Sequence, residues 1–119
     1  MAGESGVLVL AEHSGGQLLG ISTEILGATR RLADASGGNV TAVCFGPGSA
    51  EVAKQALAFG ADAAVVSADA GLEHYSNDTW TAALSAAAAL VNPAIVLLGQ
   101  TAVGRDLAPR FAIRAGSAP

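Results

Sequence analysis

The sequence predicts an α/β fold, a Rossmann-like three-layer domain in which strands and helices alternate around a mostly parallel sheet. Three observations carry this. Short runs rich in Val, Ile, Leu and Ala recur at residues 6–11, 40–45, 63–67 and 94–98. Each is too short for a helix core and is bounded by glycine or polar residues, as a buried strand is. Between and after them lie longer stretches with apolar residues at helical spacing. Such alternation demands parallel pairing, because a strand reached through a helix returns to the same sheet with right-handed geometry.

The first strand gives way to a polar turn, Glu12, His13, Ser14, Gly15, Gly16 and Gln17. Ile21, Ile25, Ala28, Leu32 and Ala35 then share one helical face, so the first helix is expected over 21–35, ending at Ser36-Gly37-Gly38. The second strand stops at Gly46-Pro47-Gly48, and Ser49 has the chemistry to cap a second helix reaching about Phe59. Gly60-Ala61-Asp62 leads into the third strand, followed by a longer connection over 68–75 that holds Gly71 and His74. Ser76 is placed to accept hydrogen bonds from the first turn of a third helix, whose positive end Asp78 complements. Trp80, Leu84, Ala87 and Val91 form its expected buried stripe, and Pro93 closes it.

The last third of the chain organises the rest. Its strand, 94–98, is an unbroken apolar run that reads as buried on both faces, although with no strand after it a sheet edge is expected. Gly99-Gln100-Thr101 offers a turn and a polar cap. In the closing helix Leu107, Ala108, Phe111, Ala112 and Ala115 occupy one half of the cylinder and should face the sheet. The other half carries Arg105, Asp106, Arg110 and Arg114, together with Pro109 and Ile113. An Asp106 to Arg110 pair at i, i+4 spacing would contribute only ~0.3–0.5 kcal/mol. Pro109 must fall in the first turn or kink the axis, and a helix start near Asp106, with that carboxylate as its cap, would satisfy this. Guanidinium groups mixed with isoleucine and proline describe a contact surface, so Arg105, Asp106, Arg110, Ile113 and Arg114 are the candidate interface residues.

Composition removes several classes of function. The 119 residues suit one domain, and a net charge of −4 with pI near 4.9 argues against a nucleic-acid partner. Mean hydropathy is +0.47, yet the most apolar window, 79–91, stops at Asn92-Pro93. That is short of the ~20 residues a bilayer crossing needs, so no membrane insertion is expected. Met1-Ala-Gly-Glu-Ser has neither a basic leader nor an apolar core, so no export is expected. Cys44 is alone, which permits no internal disulfide and fits a reducing compartment. Gly46-Pro47-Gly48 fails as a dinucleotide loop because its third glycine would fall at Glu51. Gly15 and Gly20 have Walker-like separation, but Ile21-Ser22 stands where a lysine is required. His13 and His74 lack companions at ligand spacing, so no metal is expected, and no Ser-His-Asp set can be assigned.

Three stretches, taken together, carry a family resemblance. Gly104-Arg105-Asp106-Leu107-Ala108-Pro109-Arg110 follows a Val-Leu-Leu-Gly strand end; Val7-Leu-Val-Leu-Ala-Glu12-His13 opens the chain; Phe59-Gly60-Ala61-Asp62 lies in the middle. In order and spacing the chain resembles the N-terminal domain of the electron transfer flavoprotein alpha subunit, from about residue 6 to 116. The resemblance implies a heterodimer with a homologous beta subunit. It also implies a flavin adenine dinucleotide relaying electrons from flavin dehydrogenases to a quinone-linked oxidoreductase. The principal flavin contacts of that family lie in a C-terminal domain that would follow Gly116, so no flavin-binding residue is carried over. No cofactor is expected for these residues alone, and an electron carrier needs no catalytic acid or base. The implied location is cytoplasmic, or the mitochondrial matrix in a eukaryote. The alternative is a small adenine-nucleotide-binding module of universal-stress type, whose G-x2-G-x9-G-[ST] pattern is not evident.

Overall fold

The computed structural model describes residues 6–116. Residues 1–5, on which the expectation about export rests, and the tail 117–119 lie outside the described residues. Four parallel strands form the sheet: β1 (Val7–Leu10), β4 (Val40–Phe45), β5 (Ala63–Ser67) and β6 (Ile95–Leu97), in the order β5-β4-β1-β6. Val7 is in register with Val40 on one side and with Ile95 on the other. The polar turn after β1 is a small antiparallel hairpin, β2 (His13–Ser14) and β3 (Gln17–Leu18), which turns through Gly15 and Gly16.

Side chains alternate across the pleat and so divide the core in two. Val7, Val9, Ala42 and Cys44 face α1 (Gly20–Ser36) and α2 (Ser49–Ala58), where Leu26, Ala33, Val52 and Ala56 meet them. Leu8, Leu10, Val43 and Phe45 face α3 (Asn77–Val91) and α4 (Ala102–Ala115), against Leu84, Ala87, Val91, Leu107 and Phe111. This is the three-layer α/β arrangement expected. The chain moves outward from β1 to β4 to β5, and α3 then carries it back across the other face to the far side of β1. Strand order therefore reverses between β1 and β6. Among the described residues no helix is long and apolar enough to cross a membrane.

Several local expectations need correction. The buried stripe of α1 runs through Ser22, Leu26, Thr29 and Ala33, one residue out of phase with the apolar pattern, and Leu32 is 54% exposed. Two hydroxyls make this possible: Ser22 donates to the Glu12 carbonyl and Thr29 to that of Ile25, so neither is buried unpaired. Ser49 does not cap α2; Gly48 holds that position, and Ser49 is wholly buried with its hydroxyl unpartnered. Ser76 stands at the N-cap of α3 without a side-chain cap bond, and Thr81 replaces Trp80 in the buried stripe. β6 is three residues long and is not buried on both faces, with Ile95 44% exposed. It is an edge strand, and its outer side opens on a groove of about 780 Å³ between α3 and α4.

α4 departs most from the sequence reading. It starts at Ala102 with Thr101 as its cap, and Pro109 lies inside it. Asp106 is not a cap. Thr101 Oγ1 accepts the Gly104 N–H at 3.0 Å, which settles the first turn upstream of where the proline alone would put it. Pro109 is exposed, so its missing N–H leaves the Arg105 carbonyl without a helical donor on the wet side, where water can serve it.

Candidate functional site: the strand reversal and the outer face of α4

In an open parallel sheet the ligand crevice forms beyond the carboxyl ends of the two strands where the order reverses. Here those ends are the segments after β1 and β6, and the space between them is filled by protein. Glu12 follows β1 and is only 8% exposed. Its carboxylate accepts the Thr101 hydroxyl at 2.8 and 3.0 Å, joining residues 89 apart in sequence. Thr101 in turn accepts from Gly104, so a carboxylate, a hydroxyl and a helix N–H form one chain. The positive end of α4, which elsewhere in such folds receives a phosphate, faces a carboxylate supplied by the protein itself.

Two glycines let these parts approach. A Cβ on Gly99 would lie 3.3 Å from Glu12 Oε2 and 3.3 Å from Ile21 Cγ1. A Cβ on Gly104 would collide with the Gly99 carbonyl oxygen and sit 3.0 Å from its carbon. Backbone thus rests on backbone where β6 passes into α4. A dinucleotide phosphate brought to the reversal point would meet this buried carboxylate and be repelled, so the residues here do not suit one.

Beside it, a depression of about 550 Å³ is lined by His13, Gly15, Gly46, Gly48, Glu73 and His74 among others. His13 Nε2 donates to the Phe45 carbonyl at 2.7 Å and ties the hairpin to the end of β4. Among the described residues no three His, Cys, Asp or Glu side chains converge as a metal ion would require. Cys44 lies buried in β4, where burial pushes its thiol up to about 11 and keeps it protonated.

The five candidate interface residues all sit on α4 and surround a shallow depression of about 560 Å³ with Pro109. The structure separates their contacts. Asp106 Oδ2 accepts the Tyr75 hydroxyl at 2.6 Å and the Asn77 amide at 2.9 Å. These two donors hold its carboxyl below the usual carboxylate range. Arg110 pairs at 2.6 Å with Asp78 in the first turn of α3, and not with Asp106 as the i, i+4 spacing suggested. Arg105, Ile113 and Arg114 are exposed, Ile113 by 80%, and the two arginines make no ion pair among the described residues. Sequence reasoning missed Tyr75, Asn77 and Asp78 as partners of α4. It also missed the contact of Glu12 with Thr101, although the reversal rule applied to β1 and the last strand would have brought those two segments together.

The middle of the family-like pattern is structural too. Arg30 on α1 packs over Gly60, whose φ of +122° suits glycine, and binds Asp62 at 2.8 Å. Asp62 Oδ2 also accepts the Val40 N–H at 2.8 Å, which locks the entry to β5 beside the start of β4.

Fold and site together define a class: a doubly wound domain whose crevice is closed by its own side chains and whose charged outer helix is bonded to the entry of α3. The chain belongs to the electron transfer flavoprotein domain family, whose model matches residues 7–119. It is 39% identical over 108 residues to the electron transfer flavoprotein subunit alpha of Thermoanaerobacterium thermosaccharolyticum, covering 91% of this chain and 33% of that protein. Protein FixB of Clostridium saccharobutylicum is 39% identical over 114 residues, covering 96% of this chain and 34% of the relative. The acryloyl-CoA reductase electron transfer subunit beta of Anaerotignum propionicum is 32% identical over 108 residues, covering 91% and 29%. The chain spans about a third of the length of these curated relatives.

Proposed function

We propose that these residues form the N-terminal domain of an electron transfer flavoprotein alpha subunit. In this reading the domain is part of the rigid base of a heterodimer with a beta-type subunit. The assembly carries electrons, through flavin adenine dinucleotide held mainly by a following C-terminal domain, from flavin dehydrogenases to a quinone-linked acceptor. The domain itself performs no catalysis, binds no flavin and works in the cytoplasm, or the mitochondrial matrix in a eukaryote. Arg105, Asp106, Arg110, Ile113 and Arg114 on α4 belong to its interface.

The observation that carries this reading is the closed reversal point. A nucleotide sensor of this fold needs the crevice open, and here Glu12 and Thr101 fill it. The matched family and the relatives named as electron transfer flavoprotein alpha subunits support the same conclusion. The test is to purify the native polypeptide together with its beta-type subunit and to record flavin absorbance and its reduction by a flavin dehydrogenase. A 1:1 complex with a reducible flavin is expected. Saturable, tight binding of labelled ATP by residues 6–116 would overturn it in favour of the nucleotide module.

A further inference from the structure

The Trp80 indole is half-buried against the core shared by α3 and α4, and its Nε1–H is enclosed with no acceptor among the described residues. Enclosed donors are seldom left unpaired. The indole ring meets two others edge-on, Phe45 with centroids 5.2 Å apart and Tyr75 with centroids 5.3 Å apart. Tyr75 is the opposite case. Its hydroxyl donates to Asp106 Oδ2 at 2.6 Å, while the Asn77 amide donates to that hydroxyl at 3.1 Å and to the same carboxylate oxygen at 2.9 Å. Burial, then Asp106, pushes the phenol up to about 12, so it keeps its proton at rest.

The two rings therefore answer the loss of one electron differently. An oxidised indole or phenol becomes a strong acid, and its radical is stabilised when the proton has an acceptor within reach. Trp80 has none, so its radical cation stays protonated and strongly oxidising. Tyr75 already touches an ionised carboxylate, which takes the proton without any path through solvent. Edge-to-face rings at this separation are in van der Waals contact, so an electron crosses readily and the unequal proton outlets set its direction, from Tyr75 to Trp80. Other sinks are closed. Phe45 is not an electron donor of comparable strength, and Cys44 is buried and protonated in the core on the opposite face of the sheet.

We propose that Trp80 and Tyr75 form a relay that draws a one-electron oxidising equivalent out of the aromatic cluster and brings it to rest on Tyr75, with Asp106 as the proton acceptor. First, a one-electron oxidising radical takes an electron from Trp80 and leaves the indole radical cation. An electron then passes from Tyr75 to Trp80 while the phenolic proton moves to Asp106 Oδ2, giving neutral Trp80, a tyrosyl radical and a protonated carboxyl. A soluble one-electron reductant such as ascorbate supplies an electron to Tyr75, and Asp106 returns the proton. The relay lies within this chain and does not depend on the heterodimer reading.

The test is pulse radiolysis of the native polypeptide in azide solution near neutral pH, where the azide radical oxidises indole in preference to phenol, with transient absorbance following both radicals. The indole radical is expected to decay at the rate at which the tyrosyl band rises, independently of protein concentration and more slowly in heavy water. Tyr75→Phe should abolish that rise. Asp106→Asn, which offers no carboxylate to receive the proton, should slow the transfer at least ~10-fold. Asp78→Asn removes the ion pair with Arg110 and leaves Tyr75 bonded to Asp106, so transfer should run as in the wild type. Far-ultraviolet circular dichroism checks the fold of each variant, and the heavy-water comparison needs no substitution. Transfer that is as fast in Asp106→Asn as in the wild type, or no slower in heavy water, would overturn the proposal. So would an indole radical that decays without a tyrosyl rise, a rise that persists in Tyr75→Phe or scales with protein concentration, or an equal slowing in Asp78→Asn.

Discussion

Replacing Gly104 by alanine has an effect whose sign depends on the tertiary contact. In a helix taken alone, alanine is favoured over glycine by about 1 kcal/mol. In this molecule the added methyl would strike the Gly99 carbonyl, and both partners are backbone, so relief requires α4 to lift from the end of β6. Lifting would lengthen the bond of Gly104 to Thr101 and, through it, that of Thr101 to Glu12, now 3.0 and 2.8 Å. Overpacking of this kind costs ~1–3 kcal/mol, and a loosened cap ~1 kcal/mol more. After the helical gain is subtracted, a net loss of roughly 1–3 kcal/mol remains. Urea unfolding followed through Trp80, the one tryptophan, reads this directly. With a slope of roughly 1–2 kcal/mol per molar, the midpoint should fall by about 1 M. A variant as stable as the wild type, or more so, would refute the close approach of α4 to Gly99 and with it the geometry of the closed crevice.

The remaining predictions concern single side chains. The Val40 N–H, then Arg30, holds the Asp62 carboxyl below its ordinary value, so its contribution is present above the unfolded pKa and lost as pH falls through the folded one. Stability measured from pH 6 down to pH 2 should show the wild type's advantage over Asp62→Asn shrinking toward zero; a constant gap would contradict this. Tyr75, the one tyrosine, is pushed up to about 12, first by burial and then by Asp106. Absorbance titration of Asp106→Asn should find a lower midpoint than wild type, still above that of free tyrosine because burial persists. Thr101→Val leaves the Glu12 carboxylate without its hydroxyl donor and α4 without its cap, at a cost of about 1–3 kcal/mol in the same urea assay. Cys44 should ignore a thiol reagent in the native state and react fully in urea, since burial raises its thiol to about 11.

The order of strands and helices was legible because period and punctuation are local. Apolar runs bounded by glycine announced β1, β4, β5 and β6, and the three family-like stretches led to the family. Faces and caps were less legible. Leu32 looked buried and is not, because Ser22 and Thr29 can be buried once their hydroxyls find carbonyls, which no apolar pattern records. Ser49 looked like a cap, but the positive φ of Gly48 turns the chain so that glycine takes that place. Asp106 looked like a cap or a surface ion-pair partner, and its partner proves to be a tyrosine in the loop that leads into α3.

By itself the sequence determined the alternating architecture, the helix that bears the arginines and the resemblance to electron transfer flavoproteins, since each rests on residues near one another along the chain. Only the tertiary structure decided that Glu12 and Thr101 fill the reversal point and which side chains of α4 are bonded within the chain. Those outcomes depend on groups 89 residues apart for Glu12 and Thr101, and 31 apart for Tyr75 and Asp106. Hydrogen-bond partners are chosen by distance in space, and until α3 has returned the chain across the sheet, nothing in the order of residues brings those groups together.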